Sequence, residues 1–255
     1  MNSKIKKIAE QAAMKSGREL KKIYNNFSRA TVSFKSHHEI LTKADLASEK
    51  IIINEIKKNF PEHQILAEES GDNKKQSDYL WIIDPVDGTT NFSMHNPLWA
   101  VSIGVAHKGK LVFGLVHAPI LGETFVAELG CGARMNGKKI KVSNIKKDRA
   151  INTFCHSGEQ KDIRQATKYH RHQKLHGFDC RQIGSASIEL AYVACGRVES
   201  IMIPGAHAWD VAAGVLLVSE AGGRVTNFEN KKWNLESRDI LASNGLVHKN
   251  IINLL

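Results

Sequence analysis

Trp81-Ile82-Ile83-Asp84-Pro85-Val86-Asp87-Gly88-Thr89-Thr90-Asn91 is the stretch from which the rest of the chain is read. Residues 81–83 form an apolar run suited to a buried strand, and the run ends at an acid. Pro85 cannot continue a strand ladder and predicts a turn that brings Asp87 back beside Asp84. Gly88-Thr89-Thr90 reads as a helix start, which sets unpaired N–H groups and the positive dipole end next to both carboxylates. Carboxylates collect hard cations and free amides collect oxyanions. One point in space would therefore hold both ligands that metal-assisted phosphate-ester hydrolysis needs.

Two further stretches carry acids: Ala67-Glu68-Glu69-Ser70 and Trp209-Asp210-Val211-Ala212-Ala213-Gly214. Alone, the first reads as a solvated strand-to-loop turn and the second as an aromatic core residue beside a helix cap. Taken with the central stretch they make an oxygen set. Glu68, Asp84 and Asp87 supply carboxylates, Val86 a backbone carbonyl, and Asp210 joins if the fold brings its helix start alongside. Such a set suits Mg²⁺, with Mn²⁺ as a substitute, better than zinc, which prefers His and Cys. Two ions about 3.5–4 Å apart divide the chemistry between activating a water and screening the leaving oxygen. The Gly88 and Thr89 amides would hold the phosphate.

With 255 residues, 42% of them hydrophobic, the chain can bury a full core as one large domain or as two packed halves. No apolar h-region follows Met1-Asn2-Ser3-Lys4, and no apolar run is long enough to cross a bilayer, so the expectation is a soluble, unprocessed, cytoplasmic protein without membrane contact. Cys131, Cys155, Cys180 and Cys195 form no C-x-x-C pair and read as ordinary buried thiols in a reducing compartment. The net charge of +10 invites a nucleic-acid partner. Its lysines, however, are scattered in doublets such as Lys6-Lys7, Lys57-Lys58 and Lys138-Lys139 with no interleaved aromatics, which suits solvated faces that help attract an anionic substrate.

Ile5, Ile8, Ala9, Ala12, Leu20 and Ile23 predict an amphipathic N-terminal helix, and 46–59 a second one with Ile51, Ile52, Ile53 and Ile56 as its apolar side. Short strands are expected at 64–67, 79–83, 100–106, 111–117 and 124–128. Beyond residue 148 strands (151–155, 178–183, 200–203, 240–242) alternate with helices (159–173, 185–195, 209–221 and the C-terminus). Residues 1–148 therefore read as an α+β half with the main metal motifs. Residues 149–255 read as an α/β half contributing Asp210 and the substrate wall, packed as one unit with the site between them.

At this point the residues resemble a known family. Asp84-Pro85-Val86-Asp87-Gly88-Thr89-Thr90-Asn91-Phe92 is similar to the first signature of the inositol monophosphatase family, and Trp209-Asp210-Val211-Ala212-Ala213-Gly214 to the second. Glu68-Glu69-Ser70 matches the preceding acidic motif, Asp45 an additional acid, and Gly184-Ser185-Ala186 and Glu220-Ala221-Gly222-Gly223 also fit. The resemblance implies a layered αβαβα sandwich of the inositol monophosphatase/fructose-bisphosphatase type, commonly a homodimer and commonly lithium-sensitive. It implies a Mg²⁺-dependent phosphoric monoester hydrolase acting on an inositol-1-phosphate-like or related sugar or polyol phosphate. Carried over by position, Glu68, Asp84, the Val86 carbonyl, Asp87 and Asp210 hold metal. Thr89, polarised by Asp45, works with Glu68 on the attacking water. Asp87, Gly88, Thr89, Ser185 and Asp210 contact substrate.

One departure concerns substrate choice. Where inositol-hydrolysing members carry a glutamate that binds ring hydroxyls, this chain has Ile203, which cannot accept those hydrogen bonds. Ile201 and Ile203 also alternate as a buried strand edge would, so a packing reading stands beside the functional one. Alternatives within the same chemistry are phosphatases of 3′-phosphoadenosine-5′-phosphate, fructose bisphosphate or histidinol phosphate. An RNA- or transcription-associated binding role is the alternative from another class. His172 and His176 share a helical face without an accompanying acid or cysteine and read as solvated, and Gly130-Cys131-Gly132 reads as a hairpin turn.

Overall fold

The computed structural model describes residues 3–26, 33–34, 40–41 and 43–255. The two amphipathic patterns at the N-terminus form α1 (Ser3–Asn25) and α2 (Lys43–Asn59), separated by the antiparallel pair β1 (Ser33–Phe34) and β2 (Ile40–Leu41). Ile5, Ile8, Ala12 and Leu20 of α1 and Ile52 and Ile56 of α2 are buried, whereas Leu46, expected at the start of the second helix, is 53% exposed.

These helices cover one face of an eight-stranded sheet. Its strands are β3 (Gln64–Ala67), β4 (Gly71–Asp72), β5 (Tyr79–Asp87), β6 (Ala100–His107), β7 (Lys110–Ala118), β8 (Glu123–Glu128), β9 (Gly132–Met135) and β10 (Lys138–Ile140), with the short helix α3 (Thr89–Ser93) after β5. The spatial order is β10-β9-β8-β7-β6-β5-β3-β4. Strands β4, β9 and β10 were not legible from pattern, being too short and polar to alternate. β10 is an edge strand whose exposed Lys138 and Lys139 discourage further pairing. Gly130-Cys131-Gly132 makes the β8–β9 turn, its Gly130 and Gly132 amides donating to Glu220 at 2.9 and 2.8 Å. All four cysteines are free, and Cys131, in that turn, is exposed rather than buried.

The second half supplies β11 (Ile151–Phe154), α4 (Gln160–Leu175), β12 (Asp179–Arg181), α5 (Ala186–Ala194), β13 (Ser200–Pro204), α6 (Ala208–Glu220), β14 (Arg224–Thr226), β15 (Asp239–Ser243) and α7 (His248–Ile252). Its sheet runs β12-β11-β13-β15-β14, parallel through the first three strands and antiparallel beyond them.

Strand alternation assigns the layers. Trp81, Ile83, Val101, Ile103, Phe113 and Leu115 pack against α1 and α2. Ile82, Ala100 and Val116 face the other way, into a core with Ile188 and Leu190 of α5, Val211 to Val218 of α6, and Ile201, Ile203 and Ile240 of the second sheet. Phe154, Met202 and Leu241 then point outward to Ala166 and Tyr169 of α4 and Ile251 of α7. The result is helix, sheet, helix, sheet, helix. It is the αβαβα sandwich that the family resemblance implies, with α5 and α6 in the middle.

Candidate active site

Asp84 and Asp87 are three positions apart, a spacing that sends side chains to opposite faces of a regular strand. A bulge corrects this. Asp84 pairs with Ser102 and Asp87 with Ala100, so β5 spends one residue more than β6 between those pairs. The extra residue returns Asp87 to the face of Ile82 and Asp84, while Ile83 and Val86 both point into the α1/α2 core. Pro85 therefore sits in a bulge rather than in a turn, and β5 runs through it to Asp87, which the bulge brings to the side of Asp84. A proline is tolerated there because a bulged residue need not donate to the ladder. The Pro85 carbonyl accepts from the Ser48 hydroxyl at 2.8 Å, and Ser48 meets Ser16 of α1 at 2.6 Å. Both first-layer helices thus brace the bulge.

Asp87 joins the halves of the molecule. Its Oδ2 accepts from the Ser185 hydroxyl at 2.5 Å, the Ser187 hydroxyl at 2.5 Å and the Ser187 amide at 2.7 Å; its Oδ1 accepts from the Ala186 amide at 3.1 Å. The carboxylate therefore occupies the N-terminus of α5, where unpaired amides and the helix dipole favour a negative charge. Gly88 follows with φ 91°. A Cβ there would lie 3.0 Å from the Leu98 carbonyl and 3.2 Å from the Gly184 carbonyl, so only glycine lets the halves approach this closely.

Asp210 arrives through close packing of α6. A Cβ on Gly114 would lie 2.6 Å from the Ala213 carbonyl oxygen, and one on Gly104 would lie 3.0 Å from the Ala212 Cβ. Small residues on both surfaces thus seat α6 directly on β6 and β7. Asp210, in the first turn, accepts from the His207 amide at 2.8 Å through Oδ2. Glu68 is fixed from the other side of β5, its amide donating to the Ile83 carbonyl at 3.1 Å. The neighbouring Glu69 amide donates to Glu49 Oε2 at 2.9 Å.

Thr89 stands at the first position of α3. Its hydroxyl lies 3.0 Å from Asp45 Oδ1 and 3.0 Å from the Val86 carbonyl. Having a single proton, it serves one acceptor at a time. Asp45 is fully buried on α2, so the sequence-distant pair is held by packing of the first helix layer on β5. The Gly88 and Thr89 amides precede any possible intrahelical acceptor.

The electrostatics of these residues point to a missing positive charge. Asp84 is pushed well above the usual carboxylate range, first by burial and then by the charges of Glu68, Asp87 and Asp210; it also shares a hydrogen bond with Glu68. Burial raises Asp87, against the opposing effect of its serine and amide donors. Burial likewise raises Asp210 to about 8, with Asp87 and Glu68 adding to it. Among the described residues, no lysine or arginine forms a salt bridge with Asp84, Asp87 or Asp210. Nor, among those residues, do three or more His, Cys, Asp or Glu side chains stand close enough together as they are to hold a metal ion. Carboxylate oxygens gathered around the buried Asp84 fit a hard divalent cation.

The bridging residues around this set were missed by sequence reasoning. Ser187 repeats the role of Ser185 two positions on, a spacing that a helix N-terminus makes meaningful. Asn91, though inside the signature stretch, received no role; its amide donates to the Leu98 carbonyl at 2.7 Å and the Ile183 carbonyl at 2.9 Å, sewing the halves together. Ser48 and Glu49 carried no signal beyond their place on α2. Ile203 resolves to its packing reading: it is 3% exposed, pairs with Ile240 and joins the middle core. Residues beyond the ends of parallel strands β11, β12 and β13 are more open to solvent: His156, Gln182, and the stacked rings of His207 and Trp209, whose centroids are 4.5 Å apart. His172, in the last turn of α4, and His176, the residue that caps its C-terminal end, do stack, with ring centroids 4.0 Å apart.

Comparison with known proteins agrees with this architecture. The profile of the inositol monophosphatase family matches residues 1–255. The protein named Nus factor SuhB of Pasteurella multocida is 39% identical over 250 residues, covering 96% of this chain and 93% of that one. The Thermotoga maritima protein named fructose-1,6-bisphosphatase/inositol-1-monophosphatase is 38% identical over 216 residues, 85% of this chain and 82% of that one. The crystal structure of the extragenic suppressor protein suhB from Bartonella henselae superposes with a TM-score of 0.91 at 34% identity, covering 98% of this chain and 97% of that one. With its five layers and its signature acids, the chain belongs to the inositol monophosphatase family and is a phosphatase of that kind.

Proposed function

We propose that the chain hydrolyses a small phosphate monoester, of the inositol-phosphate or a related sugar or polyol class, with Mg²⁺ as cofactor. The observation that carries this reading is the buried Asp84 carboxylate, which feels Glu68, Asp87 and Asp210 from separate segments and, among the described residues, forms no salt bridge with a cationic side chain. Glu68, Asp84, the Val86 carbonyl, Asp87 and Asp210 would hold the metal. When bound, Mg²⁺ supplies positive charge for the phosphoryl oxygens and lowers the pKa of a coordinated water. The Thr89 hydroxyl, donating to Asp45, presents its oxygen as an acceptor and orients the attacking water together with Glu68. The Gly88 and Thr89 amides donate to the phosphate, which develops charge as the ester bond lengthens. Ser185 steadies Asp87 through their 2.5 Å hydrogen bond.

Because Ile203 lies in the core, the leaving group meets other side chains. His156, Gln182, His207 and Trp209 offer donors and flat rings at the open edge. The test is phosphate release from a panel of inositol, sugar, nucleotide 3′- and histidinol phosphates across a Mg²⁺ series. The expected outcome is metal-dependent release from a polyol or sugar member, lost in Asp210→Asn. Absence of release from every member at every metal concentration would reject the reading.

A second reading has its own support, because several relatives carry the name Nus factor SuhB and the chain has a formal net charge of +10. A binding role in transcription or RNA metabolism would be independent of hydrolysis. Asp84→Asn separates the two: it should abolish phosphate release and leave such binding intact.

A further inference from the structure

Glu189 is a fully buried acid on α5 to which the reaction scheme assigns no role. Its Oε1 accepts from the Ile183 amide at 3.1 Å, the Gly184 amide at 3.0 Å and the Cys155 thiol at 3.0 Å. Its Oε2 is buried with no hydrogen-bond partner among the described residues. Burying a carboxyl group with one oxygen orphaned is costly. A leucine would fill the same space at less expense, and the place in the first turn of α5 offers only partial compensation from the helix dipole.

Two of the three contacts of Glu189 go to one object, the third being to the Cys155 thiol just past β11. Residues 183 and 184 form the turn leading into Ser185, and Ser185, Ala186 and Ser187 supply the donors to Asp87. The turn is gripped on its other side by Asn91, which donates to the Ile183 carbonyl at 2.9 Å. Glu189 therefore holds the N–H edge of a turn whose C=O edge is tied to the signature segment. Without that acceptor, the amides of half-buried Ile183 and exposed Gly184 would lose their partner inside the protein and turn to water, and the turn would reorganise.

We infer that Glu189 is a positioning residue: by clamping the Ile183–Gly184 turn it sets the three-residue donor array that orients the Asp87 carboxylate for metal. The inference rests on the metal reading of Asp87. Burial raises the Glu189 pKa to about 7, yet the clamp needs only an acceptor oxygen, which the acid, its anion and a glutamine all provide.

The experiment compares Glu189→Gln with Glu189→Leu in the full chain, by calorimetric titration with Mn²⁺ and by hydrogen exchange over residues 183–187. Glu189→Gln should keep Mn²⁺ affinity within about 3-fold and keep the exchange protection. Glu189→Leu should weaken Mn²⁺ binding by at least 10-fold and deprotect 183–187 while the eight-stranded sheet stays protected. If Glu189→Leu does not fold, Glu189→Asp, whose oxygens are withdrawn by one methylene, takes its place with the same expected direction. Wild-type affinity in the folded Leu or Asp variant overturns the inference, as does unchanged protection of 183–187. If the unsubstituted protein itself binds no Mn²⁺, the metal reading falls. The exchange measurement still reports on the clamp separately.

Discussion

The carboxylate of Asp87, at the end of β5, accepts from both the hydroxyl and the amide of Ser187 at the start of α5, at 2.5 and 2.7 Å. One side chain thus caps a helix from the second half of the molecule while standing in the acid set of the first. A substitution there forfeits both duties. Asp87→Asn replaces an acceptor oxygen by an NH₂ group facing donors, and should lower stability by about 1–3 kcal/mol as well as activity by at least about 100-fold. Asp84 accepts within the protein from the Val86 amide at 3.0 Å and otherwise sits among like charges. Asp84→Asn should therefore be no less stable than the parent without metal, yet gain no stability from added Mg²⁺. Thermal melts of both variants with and without Mg²⁺ check the contrast, and a marked loss of metal-free stability in Asp84→Asn would contradict it.

Thr89 isolates the hydroxyl from the fold. Its contacts are with Asp45 and the Val86 carbonyl, both at 3.0 Å, and both acceptors stay in place when the hydroxyl goes. Thr89→Ala should reduce kcat by about 10²–10⁴-fold, the range for loss of a proton-transfer group, with only a small change in melting temperature. Thr89→Ser, which keeps the hydroxyl, should recover most of the rate. Equal impairment of Ala and Ser would show that the methyl group, not the proton, matters.

The acids themselves were legible because they occur in dense local patterns, and the layers were legible because α1 keeps helical apolar spacing while β5, β6 and α6 are continuous apolar runs that mark buried elements. What brings the acids together is written elsewhere. The bulge at Pro85 depends on a register with β6, and the approach of Asp210 depends on Gly104 and Gly114, which look like ordinary strand glycines until α6 is placed over them. Ser187 and Asn91 are similarly silent, since their partners are 100 and 92 residues away. Ile203 was ambiguous for a related reason: alternation marks one face of a strand without saying what covers it.

Gly114 offers a direct test of the seating of α6. An added methyl would sit 2.6 Å from the Ala213 carbonyl oxygen and 3.0 Å from its Cα. Backbone atoms in a packed helix cannot swing aside as side chains do, so α6 must lift. Gly114→Ala should cost about 1–3 kcal/mol, as overpacked cores do, and should weaken Mg²⁺ activation by displacing Asp210. Denaturant melts and Mg²⁺ titrations read the two effects. Gly109, in an open turn where a Cβ meets nothing within 4 Å, is the control position for metal dependence.

Acid sensitivity should arise away from the catalytic carboxylates. His248 is fully buried between the Thr226 hydroxyl, 3.0 Å from Nε2, and the Ser243 hydroxyl, 2.9 Å from Nδ1. Burial lowers its pKa from 6.5 to about 4, with Arg224 adding to the effect. Between those values the unfolded chain binds a proton that the folded chain refuses, so stability falls as pH drops from 6.5 toward 4. Folding at pH 5 should be weaker than at pH 7 by about 2 kcal/mol from this group alone. Urea unfolding of the parent and of His248→Gln at the two pH values isolates this contribution from those of His117, which adds to it, and of Asp210 and Glu189, which oppose it; the pH 7 to pH 5 change should be less destabilising in the variant.

Ile203→Glu asks whether the family's substrate glutamate can be restored by one change. In this chain the side chain lies 3% exposed in the core beneath α5 and α6, opposite Ile240. A carboxylate placed there has no cation and no donor set prepared for it, and an unpaired buried charge is among the most destabilising substitutions, at about 3–5 kcal/mol. The expected result is a poorly folded variant with no gain in preference for inositol phosphate. A stable variant whose kcat/KM for inositol phosphate rises relative to other esters would instead show that β13 can turn this residue toward the substrate.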